Sequence, residues 1–222
     1  MRALCSHMIS VLVLIAFVPP ALQAFTGEGS VGTVDVKSEP AWVERDGMRL
    51  TIGAFGVKLF KNDVVKTAQN GKAQISLDNG NQIYLAPNTE LRLTEALIGE
   101  DRSAVSQAFR LVIGKIRAKV QKTRKQRFTV KTATATIGVK GTDFIAEFFK
   151  SKTRVGTLEG LVQLSSEKTK ESVNIPAGSM GSVSVFGELM PVEEFAGELM
   201  EGVEFAGKKM SEDDVAGEKI EF

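Results

Sequence analysis

The sequence predicts an all-β protein: a compact stack of short β-hairpins, β-helix or β-prism-like in build, with a flexible C-terminal tail. Three observations point there. Apolar and polar residues alternate with a period of two in short runs between Val31 and Val185. Turn-forming residues separate those runs every few positions. In the windows from Val31 to Leu93, apolar residues do not recur at the three-to-four spacing of an amphipathic helix.

Taken in order, Val31, Thr33 and Asp35 alternate with Gly32, Val34 and Val36. Ala41-Trp42-Val43-Glu44-Arg45 runs into Asp46-Gly47, a pair that suits the two left-handed positions of a tight hairpin, and Met48, Leu50 and Ile52 resume the alternation. Asn70-Gly71 precedes Ala73, Ile75 and Leu77. Asp78-Asn79-Gly80 then turns the chain into Ile83 and Leu85, and Pro87-Asn88-Thr89 makes a corner before Leu91 and Leu93. Residues 95–110 fit either a short helical turn or a polar loop. Later strands centre on Ile116, Val130, Ile145, Val155, Val162, Ile175 and Val183.

The two ends read differently from this body. Residues 1–24 have the layout of a secretory signal peptide: Arg2, an apolar run from Met8 to Val18, Pro19-Pro20, and a small residue, Ala24, before the cleavage point. The apolar run is shorter than the roughly 20 residues that span a bilayer, so no transmembrane anchor is expected after cleavage. The expected location is the periplasm or the exterior. Residues 186–222 carry a decapeptide pattern: Phe186-Gly-Glu-Leu-Met190, Ala196-Gly-Glu-Leu-Met200, Ala206-Gly-Lys-Lys-Met210 and Ala216-Gly-Glu-Lys-Ile220.

Composition excludes several chemistries. Cys5 and His7 are the only cysteine and histidine, and both lie in the leader. The processed chain thus has no disulfide, no thiol nucleophile, no imidazole base and no nitrogen or sulfur metal ligand. Neither a metal nor a cofactor is expected. Charge is segregated: residues 25–185 hold 24 Lys and Arg against 16 Asp and Glu, whereas residues 186–222 hold 3 against 11. Opposite blocks in one chain can meet, within a molecule or between molecules.

The basic charge concentrates between Lys115 and Lys131, where eight cations occur with no acid. Strand alternation places Lys115, Arg117 and Lys119 on one solvated face, opposite Ile116, Ala118 and Val120. Lys122, Arg124, Lys125 and Arg127 continue the row around an expected hairpin tip. This basic face is the candidate partner-binding surface, for a protein, an anionic envelope component or the chain's own acidic tail. Nucleic acid is not expected, because no aromatic residues interleave with the cations.

One stretch is similar to a known family. Phe128-Thr-Val-Lys-Thr132, Ala135 and Ile137-Gly138-Val139-Lys140-Gly141-Thr142-Asp143-Phe144 resemble the signature of the FecR domain. Leu59 to Thr67, Gly71-Lys72-Ala73 with Leu77 to Gly80, Leu158 to Val162 and Ile175 to Gly178 resemble further blocks of that family, in order. The resemblance covers about residues 31–185, and the FecR-type β domain is bounded at 28–185. Ala133, Lys140 and Asn62 depart from the family's usual proline, arginine and glycine; Asn tolerates the left-handed backbone that glycine serves. The resemblance implies an exported, non-enzymatic binding or regulatory module of the cell envelope. A structural or scaffold role in an envelope assembly, with self-association through the acidic tail, is the alternative. A glycan hydrolase using Asp63, Asp78, Asp143 or Glu159 is a third reading, but each acid sits where a turn or cap residue would. For Gly138, Val139, Lys140, Gly141, Thr142, Asp143 and Phe144, the spacing of two glycines among β-branched residues favours a structural corner over a ligand site.

Overall fold

The computed structural model describes residues 29–98, 105–123 and 126–203. The chain begins with β1 (Gly32–Ser38), β2 (Ala41–Arg45), β3 (Met48–Thr51) and β4 (Val57–Leu59). It continues through β5 (Val64–Thr67), β6 (Lys72–Leu77), β7 (Gln82–Leu85), β8 (Glu90–Ile98) and the long β9 (Val105–Lys119). Then follow β10 (Gln126–Lys131), β11 (Ala135–Val139), β12 (Asp143–Phe149) and β13 (Lys152–Glu159). β14 (Leu161–Ser166), β15 (Ser172–Pro176), β16 (Ser179–Val183) and a two-residue β17 (Glu193–Glu194) complete the strands, and a 3₁₀ turn spans Gly197–Met200.

Pairing sorts the strands into two layers. Layer I runs β4-β1-β6-β7-β9-β12-β13-β16-β17. Layer II runs β3-β2-β5-β8-β9-β10-β11-β14-β15. Every neighbour is antiparallel except β9 and β10. Hairpins fall in both layers, β6–β7 and β12–β13 in layer I and β2–β3, β8–β9, β10–β11 and β14–β15 in layer II, so the stack expected from the sequence closes around one core. Leu85, Ile116, Phe144 and Val155 face it from layer I, and Val65, Leu91, Phe109, Val130 and Leu164 face it from layer II. Phe109, Phe128 and Phe144 form its aromatic centre, with ring centroids 5.5 and 6.3 Å apart in turn.

The turns use the residues the sequence singled out. Asp46 and Gly47, at φ 50° and 78°, close β2 onto β3, and Asn62 takes φ 71° before β5. No side chain but a short polar one, or none, tolerates that region at low cost.

β9 belongs to both layers. Residues up to Ile113 pair with β8 and β10 in layer II; residues from Gly114 pair with β7 and β12 in layer I. Gly114 makes the crossing at φ 99°, with its α-carbon packed so closely on Asn88 and Thr89 that a side chain there would lie 2.6 Å from Thr89 Cα. This arrangement corrects two expectations. Residues 95–98 and 105–110 are strand, not a helical turn or loop, because β9 gains a paired neighbour on each edge there. β9 and β10 do not form the expected hairpin: β9 ends in layer I, and β10 lies in layer II, parallel to the start of β9.

The body does not stop at Val185. Residues 186–203 fold over the outer face of layer I, where Phe195, Leu199 and Val203 are buried against Ala86, Ile145 and Met180. Gly156 makes room for the Phe195 ring, since a β-carbon there would run into it. The expected leader, residues 1–24, and the tail's residues 204–222 lie outside the described residues. Among the described residues, no helix is long and apolar enough to cross a membrane.

Candidate functional site

The alternation of β9 is as the sequence implies: Ile116 and Ala118 are fully buried in the core and Lys115, Arg117 and Lys119 point the other way. That other side is the outer face of layer I, and much of it is not solvent. Arg117 is only 8% exposed, and its guanidinium grips Asp143 bidentately, Nε to Oδ1 at 2.9 Å and Nη2 to Oδ2 at 2.7 Å. Lys115 lies 3.6 Å from Glu147 and donates to the carbonyl oxygen of Glu201 at 3.2 Å. Arg154 bridges Glu147 and Glu198, both at 2.6 Å. Burial opposes its charge, but the two carboxylates prevail and hold its pKa above the ordinary arginine value.

The expected basic row is therefore broken up. Arg117 is an internal ion-pair partner and Lys115 holds down residues 198–201; Lys119, Lys122 and Arg127 are exposed. Arg124 and Lys125 lie outside the described residues. A desolvated cation needs a fixed counter-charge, which is why Asp143 stands beside Arg117.

The glycine-rich stretch is the passage from β11 in layer II to β12 in layer I. Gly138 and Val139 end β11, Gly141 turns at φ 65° tight against Lys122, and Thr142 pairs its backbone with Val120 at 2.9 and 3.0 Å. Thr142 Oγ1 donates to the Leu161 carbonyl, Asp143 receives Arg117, and Phe144 is fully buried. Lys140 is exposed and contacts no carboxylate among the described residues. The other acids of interest are similarly placed. Asp63 is completely buried, held by Arg45 through two contacts of 2.7 Å and by the Phe60 amide at 2.8 Å. Asp78 and Glu159 are exposed.

The outer face of layer II presents a different distribution. On its β2–β5–β8 side, charges alternate in sign. Arg49 stacks on Trp42 at 3.9 Å, Glu44 meets Lys66 at 2.9 Å, and Lys66 meets Glu90 at 3.3 Å. The Lys66 ammonium, with the Trp42 indole N–H, holds Glu44 below the ordinary carboxylate pKa, and Glu44 in turn raises Lys66.

From β8 onward the sign stops alternating. Arg92 on β8 registers with Arg110 on β9, and Arg110 with Lys131 on β10. Four residues earlier on β10, Arg127 points the same way, level with Lys140 just past β11. All five are exposed, and none makes an ion pair among the described residues. Glu167, the neighbouring acid, is bonded by Thr136 and Lys170, which lower its pKa, with a smaller contribution from Lys131. Sequence reading missed Arg92 and Arg110. Their outward direction was readable from Leu91 and Leu93, and from Phe109 and Leu111, but their side-by-side register was not.

Beside these cations runs a shallow groove of about 410 Å³ across β10, β11, β14 and β15. Thr129, Gly138, Gln163 and Asn174 lie in register along its floor, and Arg127, Lys140 and Leu161 border it. Nothing lies within 4 Å of where a Gly138 β-carbon would project, so the missing side chain deepens the groove. Gln126 also lines it, and its Oε1 is buried with no hydrogen-bond partner among the described residues. A second cavity, about 280 Å³, sits between Lys119, Lys122, Asp143 and Glu159.

Comparison with known proteins agrees with the motif reading. The family model described as FecR protein matches residues 63–163. No curated protein matches the sequence. Two crystal structures of a candidate anti-sigma factor from Parabacteroides distasonis ATCC 8503 share the fold at 16% identity and a TM-score of 0.50. The likeness covers 59% of this chain and 59% of that one, so the chain spans well under two thirds of the neighbour's length. The matched span opens at the buried Asp63 and includes the cation row, the groove floor from Thr129 to Gln163 and the Arg117–Asp143 pair. Residues 63–163 of this chain are thus similar in sequence to the FecR protein family.

Proposed function

We propose that the chain is a non-enzymatic regulatory module of the cell envelope that acts by holding a protein partner on the outer face of layer II. The carrying observation is the contrast within that face: Glu44, Lys66 and Glu90 neutralise one another, while Arg92, Arg110, Lys131, Arg127 and Lys140 make no ion pair among the described residues. Like charges directly opposite on neighbouring strands cost stability, and an external anion relieves that cost. The similarity to the FecR family supports a regulatory role, as does the fold shared with a candidate anti-sigma factor. Asp63 and Asp143, the buried carboxylates, are each clamped by an arginine, which suits a structural role better than proton transfer. The leader pattern of residues 1–24 supports the envelope location.

Two measurements test this. Osmotic-shock fractionation of cells expressing the chain should release a processed form lacking the first 24 residues; an intact form confined to the cytoplasm rejects the envelope location. Envelope extract passed over the immobilised chain and over an Arg92→Glu, Arg110→Glu, Lys131→Glu variant should yield a partner that the variant loses. Full recovery of every bound protein by the variant rejects the face.

A further inference from the structure

We propose, building on the reading of the chain as a protein-binding module, that this face takes an extended acidic peptide lying across the strands from the cation row into the groove over Gly138. Three features fix the chemistry of the occupant. The cations are spread rather than clustered. Arg92, Arg110 and Lys131 stand on adjacent strands, so the row covers two inter-strand gaps, about 10 Å in all. A lone small anion would meet one of them, whereas a polymer bearing several carboxylates meets all of them. The groove floor is uncharged, and Thr129, Gln163 and Asn174 on it offer both donors and acceptors, as a peptide backbone requires. Gln126 Oε1, which lines the groove and has no hydrogen-bond partner among the described residues, is an acceptor that the regularly spaced N–H groups of a peptide backbone can satisfy and a polyphosphate, which has no N–H, cannot.

Gly138 sets the path. Registered with Thr129 on one side and Gln163 on the other, it leaves the backbone of β11 bare at the middle of the floor. Because the space above it is empty, a larger residue fits there without disturbing the fold and fills the groove instead. Its φ is not in the left-handed region, so a β-branched residue suits the strand.

The probe is a fluorescein-labelled deca-glutamate titrated with the full processed chain and followed by anisotropy at 50 and 500 mM NaCl. Binding is expected at low salt and should weaken steeply at high salt. Arg92→Glu, Arg110→Glu, Lys131→Glu together should weaken it at least tenfold. Lys37→Glu, Lys58→Glu, Lys152→Glu, three exposed lysines on layer I with the same change in net charge, should leave it within twofold. Gly138→Val should weaken it about fivefold or more with an unchanged melting temperature. Equal loss in both triple variants reduces the effect to net charge and overturns the site. Undiminished binding by Gly138→Val overturns the path through the groove. Inorganic polyphosphate or a heparin hexasaccharide binding tighter than deca-glutamate overturns the choice of a peptide. A mass in light scattering that grows with concentration, and falls in the Arg92, Arg110, Lys131 variant, assigns the face to a second copy. A chain stopped after Val203 that binds deca-glutamate tenfold tighter than the full chain assigns it to the chain's own residues 204–222. Failure of deca-glutamate alongside retained, face-dependent capture from envelope extract overturns the acidic peptide and leaves the broader function standing.

Discussion

Arg117 and Asp143 hold charge inside a β structure, with side chains 9% and 8% exposed. Two parallel N–H···O contacts offset the loss of hydration, but only while both partners remain. Asp143→Asn or Arg117→Met should therefore lower unfolding free energy by about 3–5 kcal/mol, the usual result of breaking a buried ion pair from one side. Joint replacement, Arg117→Met with Asp143→Leu, should restore most of it. Denaturant melts of the four proteins check this, and a double variant no more stable than either single one would show that the pair does more than cancel charge. A second residue-scale effect follows from Glu44 and Glu167. Both have folded pKa values below their ordinary 4.5, so their stabilisation is complete above that pH and disappears as pH falls through the lower folded values. Thermal melts should be flat near neutrality and fall below about pH 4.5. Glu44→Gln with Glu167→Gln should reduce the dependence, by a modest amount because both groups are partly solvated. Of these residues, Asp63 and Asp143 were readable in sequence as structural acids; their arginine partners, 18 and 26 residues away, were not. Alternation says which way a side chain points and is silent on what stands opposite.

At the scale of elements, β9 decides the architecture. A strand of 15 residues with Gly114 near its C-terminal third serves two layers, and the bend fixes where each hairpin on either side must go. Sheets that meet at a corner need such a bend, and glycine supplies it at φ 99°. Gly114→Ala adds strain at that dihedral and a clash with Thr89, so it should cost on the order of 3 kcal/mol and be as damaging as a core truncation. Urea unfolding of the variant measures it; a loss under about 0.5 kcal/mol would mean the crossing relaxes freely. The sequence carried Leu111-Val112-Ile113-Gly114 in plain view, yet a glycine in a strand signals a bulge, a bend or a close approach alike. Only the pairing of β9 with β8 and β10 on one side, and β7 and β12 on the other, selects the bend. The same ambiguity hid the strand character of residues 105–110 and turned the basic passage from Val120 to Arg127 into an apparent hairpin. Hairpins with local turn residues were legible throughout; partners brought from more than about twenty residues away were not.

For the whole molecule, the outer faces of the two layers have opposite fates. Layer I is roofed by residues 186–203, and layer II keeps its cations exposed. The decapeptide pattern marked these residues as a tail because its glycines and acids suit neither a regular helix nor a strand. Burial of Phe195, Leu199 and Val203 over Gly156, Ile145 and Met180 makes the first of them part of the fold instead. Each such side chain contributes about 1.5–3 kcal/mol when fully buried, partly offset by the entropy of ordering the strap. A chain stopped after Val185 should then expose Ile145 and Met180, bind a dye specific for apolar surface, and melt lower than a chain stopped after Val203. At about 2–4 °C per kcal/mol for a protein of this size, even a net contribution of 2 kcal/mol is resolvable by calorimetry. Phe195→Ala in the longer chain should reproduce most of the difference, because the ring fills the notch that Gly156 leaves. Identical melting of the two truncations, with no dye binding by the shorter, would mean that the two layers alone carry the stability and that residues 186–203 merely rest on them.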